Sequence, residues 1–191
     1  RNLHELKSLM YNEPEALERL LEKLSAVITD YLRRQIAAGA DAVQLFDSWG
    51  GALAEPEWRR FSGRYTAMVM RDLADTGVPL IHYVNGGSHL LEATAELPCD
   101  VLSVDWRESL GSVAQRTGGR YALQGNIDPG VLRATPEVIR AGVRATYESY
   151  GARPGLIFNL GHGITPDATV DTARALVEAA QELGPEFAGG A

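Results

Sequence analysis

The chain has 191 residues, 45% hydrophobic and 23% charged, with 18 Lys and Arg against 25 Asp and Glu for a net charge of -7. This is the balance of one globular domain with a sizeable core, and an acidic chain without a basic run is a poor partner for nucleic acid or an anionic membrane surface. No apolar run approaches the roughly 20 residues that span a bilayer, and the single cysteine, Cys99, excludes an internal disulfide framework and a Cys-pair zinc site, so a reducing cytoplasm is the expected compartment.

The spacing predicts a long helix first. Asn12 is placed as its N-cap, with Pro14 and Glu15 in the first turn. Leu17, Leu20, Leu21, Leu24, Val27, Ile28, Tyr31 and Leu32 form one apolar stripe, and Gly39 ends the helix in a left-handed cap. The run Ala42–Phe46 reads as a strand leading into polar Asp47-Ser48. A helix over 57–76 carries Trp58, Phe61, Tyr65, Met68, Val69 and Leu73 at helical spacing. Strands at 80–84 and 101–104, a helix at 108–117 and a strand at 121–124 follow. Pro136 opens a helix running to Tyr150, 156–160 is the fifth strand, and a helix over 167–183 stops before Gly184-Pro185. The tail Gly189-Gly190-Ala191 is expected to fray.

Alternating strands and helices imply parallel pairing through right-handed crossovers. Two architectures fit: an open doubly wound sheet, which five strands complete, or part of a (β/α)8 barrel lacking roughly three units. In either, polar residues just past the carboxyl ends of the strands line the ligand crevice. Here those residues are Asp47, Ser48, Asn85, Ser88, Asp105, Arg107, Asn126, Asp128, Asn159 and His162. For any single one of them a tight turn or a helix cap is the readier role; the signal is their recurrence after every strand. His162, between Gly161 and Gly163, is the strongest single candidate, able to contact an anionic ligand or move a proton. Ser48 lacks the flanks of a nucleophile elbow, so a hydrogen bond to a ligand carboxylate is its better role. His82 is expected inside with its polar atoms satisfied. His4 and His89 read as loop or surface residues. Cys99 reads as a buried filler at the opposite end, Trp58 as core, and Trp49 and Trp106 as possible pocket walls. No histidine pair stands at zinc spacing, which argues against a metal site.

At these same loops the chain resembles the uroporphyrinogen decarboxylase family. The likeness lies in Gln44-Leu45-Phe46-Asp47-Ser48-Trp49-Gly50-Gly51, Asp105-Trp106, Leu123-Gln124-Gly125-Asn126-Ile127-Asp128-Pro129 and Asn159-Leu160-Gly161-His162-Gly163-Ile164. It extends to the preceding helix through Leu9-Met10-Tyr11 and Gln35-Ile36-Ala37-Ala38-Gly39-Ala40. The resemblance implies a (β/α)8 TIM barrel, of which this chain supplies about five βα units, a homodimer, and a decarboxylation that uses no cofactor. The family turns the four acetate side chains of uroporphyrinogen into methyls, giving coproporphyrinogen. By position, Ser48 matches a carboxylate-contacting hydroxyl, His162 a substrate-binding histidine and Phe46 a pocket-lining aromatic. The family's paired arginines, pyrrole-binding aspartate and pocket tyrosine belong to motifs that precede Arg1. Residues 1–191 are therefore expected to be the C-terminal portion of one barrel domain, with the proton donor and pyrrole-binding acid outside it. Asn85 and Arg107 depart from the lysine and threonine common at those positions. A truncated, non-catalytic fragment is the alternative reading. A related zinc-dependent methyltransferase is a further one, disfavoured by the single cysteine.

Overall fold

A computed structural model describes residues 3–188; the tail expected to fray lies outside the described residues. The five apolar runs become strands β1 (Val43–Asp47), β2 (Leu80–Val84), β3 (Val101–Ser103), β4 (Ala122–Ile127) and β5 (Leu156–Leu160). All neighbours pair in parallel, in the spatial order β1-β2-β3-β4-β5. Sequential order means that every crossover steps the same way, which places the connecting helices on one face and removes the reversal that defines a doubly wound sheet.

The sheet is rolled. Phe46, Tyr83, Ser103, Gln124 and Ile157 are register partners along one line across the strands, so their side chains share a face. On that face the Gln124 Nε2 donates to Gln44 Oε1 at 3.1 Å, although β2 and β3 lie between β4 and β1. A flat sheet would hold those strands about 14 Å apart. The Tyr83 hydroxyl likewise reaches from β2 to the Gly161 carbonyl just past β5, at 2.8 Å. Only a concave inner face permits both bonds. This is the wall of a (β/α)8 barrel, with the polar layer Gln44, Ser103 and Gln124 inside it.

The convex face carries the helices: α1 (His4–Asn12), α2 (Pro14–Ala37), α3 (Glu55–Trp58), α4 (Arg64–Leu73), α5 (Leu91–Thr94), α6 (Leu110–Arg116), α7 (Pro136–Tyr150) and α8 (Val170–Ala188). A π turn at Arg59–Gly63 joins α3 to α4 in one rod. Trp58, Met70 and Leu73 are buried beneath it. Leu110, Val113 and Leu123 fill the middle of the layer, and Ile139, Val143 and Leu183 the far side.

Several expectations change. Asn12 does not cap α2; it ends α1, a helix the spacing did not reveal, and its Nδ2 donates to Ser8 Oγ at 3.2 Å. Residue Glu13 occupies the cap position without a side-chain bond. The helix expected to stop before Gly184-Pro185 runs through both to Ala188, because Leu183 is buried against α7 and Phe187 stacks on Tyr147 at 5.4 Å. Tertiary packing outweighs proline's helix-breaking tendency there. The α2 stripe is buried only in part. Leu17 and Leu32 face the core, whereas Leu20, Leu24, Val27, Ile28 and Tyr31 are exposed beside the β1 edge. At the β5 edge, Ile157, Ile164, Val170 and Val177 are exposed too. Both open edges thus carry apolar surface of the kind an adjoining layer covers.

His82 is buried as expected, but neither ring nitrogen has a hydrogen-bond partner among the described residues. It lies beside the Trp58 ring at 6.4 Å. Burial pushes its pKa down to about 4, against the opposing pull of the Asp47 carboxylate. The unfolded chain protonates its histidines near 6.5. Stability from a neutral buried imidazole is therefore full above that value and falls as pH drops from about 6.5 to about 4, by roughly 3 kcal/mol in all. The expected result is a loss of melting temperature across that window which His82→Gln flattens. Parallel profiles for the two proteins would contradict it.

Candidate functional site

The residues past the carboxyl ends of the strands follow one another around the concave rim. Near the end of β1, Phe46 projects onto the inner face and is 68% exposed. Ser48 is exposed, and its hydroxyl has no partner among the described residues; its carbonyl accepts from Asn85 Nδ2 at 3.3 Å. Asp47 does not join the crevice. Strand alternation turns it to the helix side, where its carboxylate accepts from Trp58 Nε1 at 2.9 Å and Ser62 Oγ at 2.6 Å. It ties β1 to the rod that follows.

After β2 and β3 the loops interlock. Asp105 is 3% exposed, and its carboxylate accepts from the Gly86 amide, from the Arg107 amide at 2.8 Å and from Arg107 Nη1 at 2.8 Å. Arg107 Nη1 also reaches Asn85 Oδ1 at 3.2 Å, and its guanidinium lies 4.0 Å over the Trp106 ring. Asp105 is thus an anchor rather than a ligand-facing group. Asn126 has the same kind of role, its Nδ2 donating to the Asp105 and Glu108 carbonyls at 2.8 and 2.5 Å. Asp128 caps the turn after β4 by accepting from the Gly130 amide at 2.8 Å. Ser88 opens a 3-10 turn whose carbonyl takes a bond from Arg116. For Asp105, Asn126, Asp128 and Asp47 the side chains serve as turn braces and caps.

His162 lies at the far end of the rim. It is exposed, and its ring nitrogens have no partner among the described residues. Its imidazole meets the Trp106 ring at 6.2 Å and the Tyr83 ring at 6.4 Å, and Tyr83 meets Phe46 at 6.0 Å. Phe46, Tyr83 and His162 therefore form one line from β1 to the loop after β5. Gly161 makes that approach possible: a Cβ there would fall 2.6 Å from the Trp106 amide nitrogen and 3.0 Å from the Asn126 carbonyl. At the other end, a Cβ on Gly51 would meet the Asn85 and Gly86 carbonyls at 2.3 and 2.4 Å. Asn159 points its Oδ1 inward from β5, buried and unpartnered among the described residues.

Of the residues matched by resemblance, Phe46, Ser48 and His162 all stand on this one rim. Tyr83 was not singled out from the sequence. Its signal was its register with Phe46, which only the pairing of β1 with β2 reveals. Burial, with the Asp105 carboxylate as a second cause, pushes the Tyr83 phenol up to about 12, so it keeps its proton at neutral pH and donates to Gly161. Trp106 is a wall of the rim, whereas Trp58 is core and Trp49 is exposed. Cys99 lies just ahead of β3, at the opposite end, and burial pushes its thiol up to about 12, far from a reactive thiolate. Among the described residues no helix is long and apolar enough to cross a membrane. An aromatic floor edged by a free hydroxyl, an imidazole and a guanidinium suits a ligand with a flat apolar face and anionic groups.

The uroporphyrinogen decarboxylase family model matches residues 1–183. A uroporphyrinogen decarboxylase of Methylococcus capsulatus is 46% identical over 98% of this chain and 54% of its own length. One of Alkalilimnicola ehrlichii is 46% identical over 95% of this chain and 51% of its own length. The chain thus spans about half the length of the curated relatives it matches. Among solved structures, a methyltransferase from Methanosarcina mazei superposes with a TM-score of 0.83 at 19% identity, over 96% of this chain and 54% of that one, a likeness of fold.

Proposed function

We propose, because this chain belongs to the uroporphyrinogen decarboxylase family, that the protein of which it forms part converts the four acetate side chains of uroporphyrinogen to methyls, giving coproporphyrinogen. The reading is supported above all by one observation. Phe46, Ser48 and His162 edge the same concave rim, and the polar groups of Ser48 and His162 are unspent on the protein itself.

The chemistry accounts for those residue types. Protonating a pyrrole at the ring carbon next to the one that bears an acetate makes the ring a cation, with the acetate-bearing carbon electron-deficient. The carboxylate then leaves as CO2, its bonding electrons passing into the ring. A proton added to the resulting exocyclic methylene, with loss of the ring proton, leaves a methyl group. The protein must hold a polycarboxylate, deliver protons and stabilise positive charge, and the scheme calls for no added cofactor. Within this chain, Phe46 and Tyr83 offer aromatic surface to the macrocycle, while Ser48 and His162 hydrogen-bond its carboxylate arms. The proton donor and the pyrrole-facing acid belong to the portion N-terminal to residue 1. Residues 1–191 are, in this reading, the C-terminal portion of a single barrel domain whose remaining strands pair with β1 and β5 and cover the apolar flanks. The complete protein is a cytoplasmic homodimer, and this chain alone is inactive.

Incubation of the complete protein with uroporphyrinogen, without metal or nucleotide, should yield coproporphyrinogen by chromatography of the oxidised porphyrins. Absence of product, or product that requires zinc and a thiol, would reject the reading. In the same assay Ser48→Ala should lower kcat/KM by about threefold to fivefold, because water can replace a hydroxyl-to-carboxylate contact. A loss beyond about 100-fold would instead give Ser48 a part in the chemical step.

A further inference from the structure

Arg107 stands on the rim between Ser48 and His162, held on three sides. Its Nη1 donates to Asp105 Oδ2 at 2.8 Å and to Asn85 Oδ1 at 3.2 Å, and its guanidinium stacks on Trp106 at 4.0 Å. Nε and Nη2 have no partner among the described residues. The two halves of the Arg107–Asp105 pair face different media: the Asp105 side chain is 3% exposed and the Arg107 side chain 48%. The anion is thus buried behind three donors, while the cation faces the rim with one edge of its fork unfilled. A guanidinium fixed in this way has already lost most of its rotamer freedom, so a bidentate carboxylate contact costs little further ordering. Trp106 also touches His162 at 6.2 Å. The two groups therefore flank a single indole, a spacing that suits two arms of one ligand. Both Asn85 and Arg107 are needed for the arrangement, since the Asn85 amide bridges Arg107 to the Ser48 carbonyl.

We propose that Arg107 is a further substrate-binding residue of this site, one that clamps a carboxylate arm of the tetrapyrrole by its free Nε and Nη2 edge, with Asn85 and Asp105 as its positioning residues. The proposal rests on the decarboxylase reading and adds to it a fixed cation supplied by this chain. Arg107 sets how strongly the rim prefers a polycarboxylate over a less charged ring.

The test is steady-state kinetics of the complete protein with uroporphyrinogen, comparing the parent with Arg107→Gln and Arg107→Lys and following melting temperature for all three. Arg107→Gln removes the cation along with the anchor to Asp105. Arg107→Lys retains a cation and a donor for Asp105 but lacks the fork. The expected result is a KM raised about tenfold in Arg107→Gln and several-fold in Arg107→Lys, the loss falling on KM rather than kcat, with a shallower rise of KM with salt than in the parent. An unchanged KM in a parent-like, active Arg107→Lys overturns the clamp and leaves the decarboxylase reading standing. So does a loss confined to kcat, which would place Arg107 in the chemical step rather than in ground-state binding of the arm. A parent protein that does not turn over uroporphyrinogen overturns both.

Discussion

In the complete protein, replacing Gly161 with alanine should lower kcat/KM for uroporphyrinogen by about 100-fold and stability by about 1–3 kcal/mol. The added Cβ would stand 2.6 Å from the Trp106 amide nitrogen and 3.0 Å from the Asn126 carbonyl, both backbone atoms with no flexible end to swing aside. The loop after β5 must retreat. That retreat lengthens the bond from the Gly161 amide to the Ile127 carbonyl, now 2.8 Å, and the bond from Tyr83 to the Gly161 carbonyl, also 2.8 Å. His162 is the next residue, so it moves with the loop. Chemical denaturation and kinetics on one preparation separate the two effects. Parent-like kinetics would show that the close approach has no bearing on the site.

Removal of the imidazole itself is the second large effect. In the complete protein, His162→Ala should reduce kcat/KM by about tenfold or more, corresponding to about 1–3 kcal/mol for one hydrogen bond to a charged group. The ring makes no hydrogen bond within the described protein, only edge contacts to Trp106 and Tyr83. Its loss should therefore leave the melting temperature nearly unchanged, unlike that of Gly161→Ala. Unchanged kinetics would remove His162 from the site.

Elements bounded by their own chemistry were legible in the sequence. The strands at 80–84 and 156–160 and the helix at 136–150 lie where the spacing put them, each closed off by turn residues or opened by Pro136. What depends on neighbours was not. The α2 stripe reads as one face, but which of its leucines is buried depends on the layer beside β1. Strand β4 runs three residues beyond its apolar run because Gly125, Asn126 and Ile127 pair with β5. Pro185 sits inside a helix because Phe187 has an aromatic partner on α7.

The site shows the same division. Phe46, Ser48 and His162 were singled out by motif, and the fold places them on one rim. Asp47, Asp105, Asn126 and Asp128 occupy equally suggestive positions yet serve as struts, since a place at or past a strand end does not encode the face to which a side chain turns. Tyr83 reaches the site through strand register and the rolling of the sheet, and neither is written in its local sequence.

The most direct test is a crystal structure of the complete protein with coproporphyrinogen bound. The macrocycle should lie against Phe46 and Tyr83, with carboxylate oxygens within about 3 Å of His162 and Ser48. A tetrapyrrole seated away from the carboxyl ends of these strands, or one whose carboxylates bypass both side chains, would contradict the site assigned to this chain.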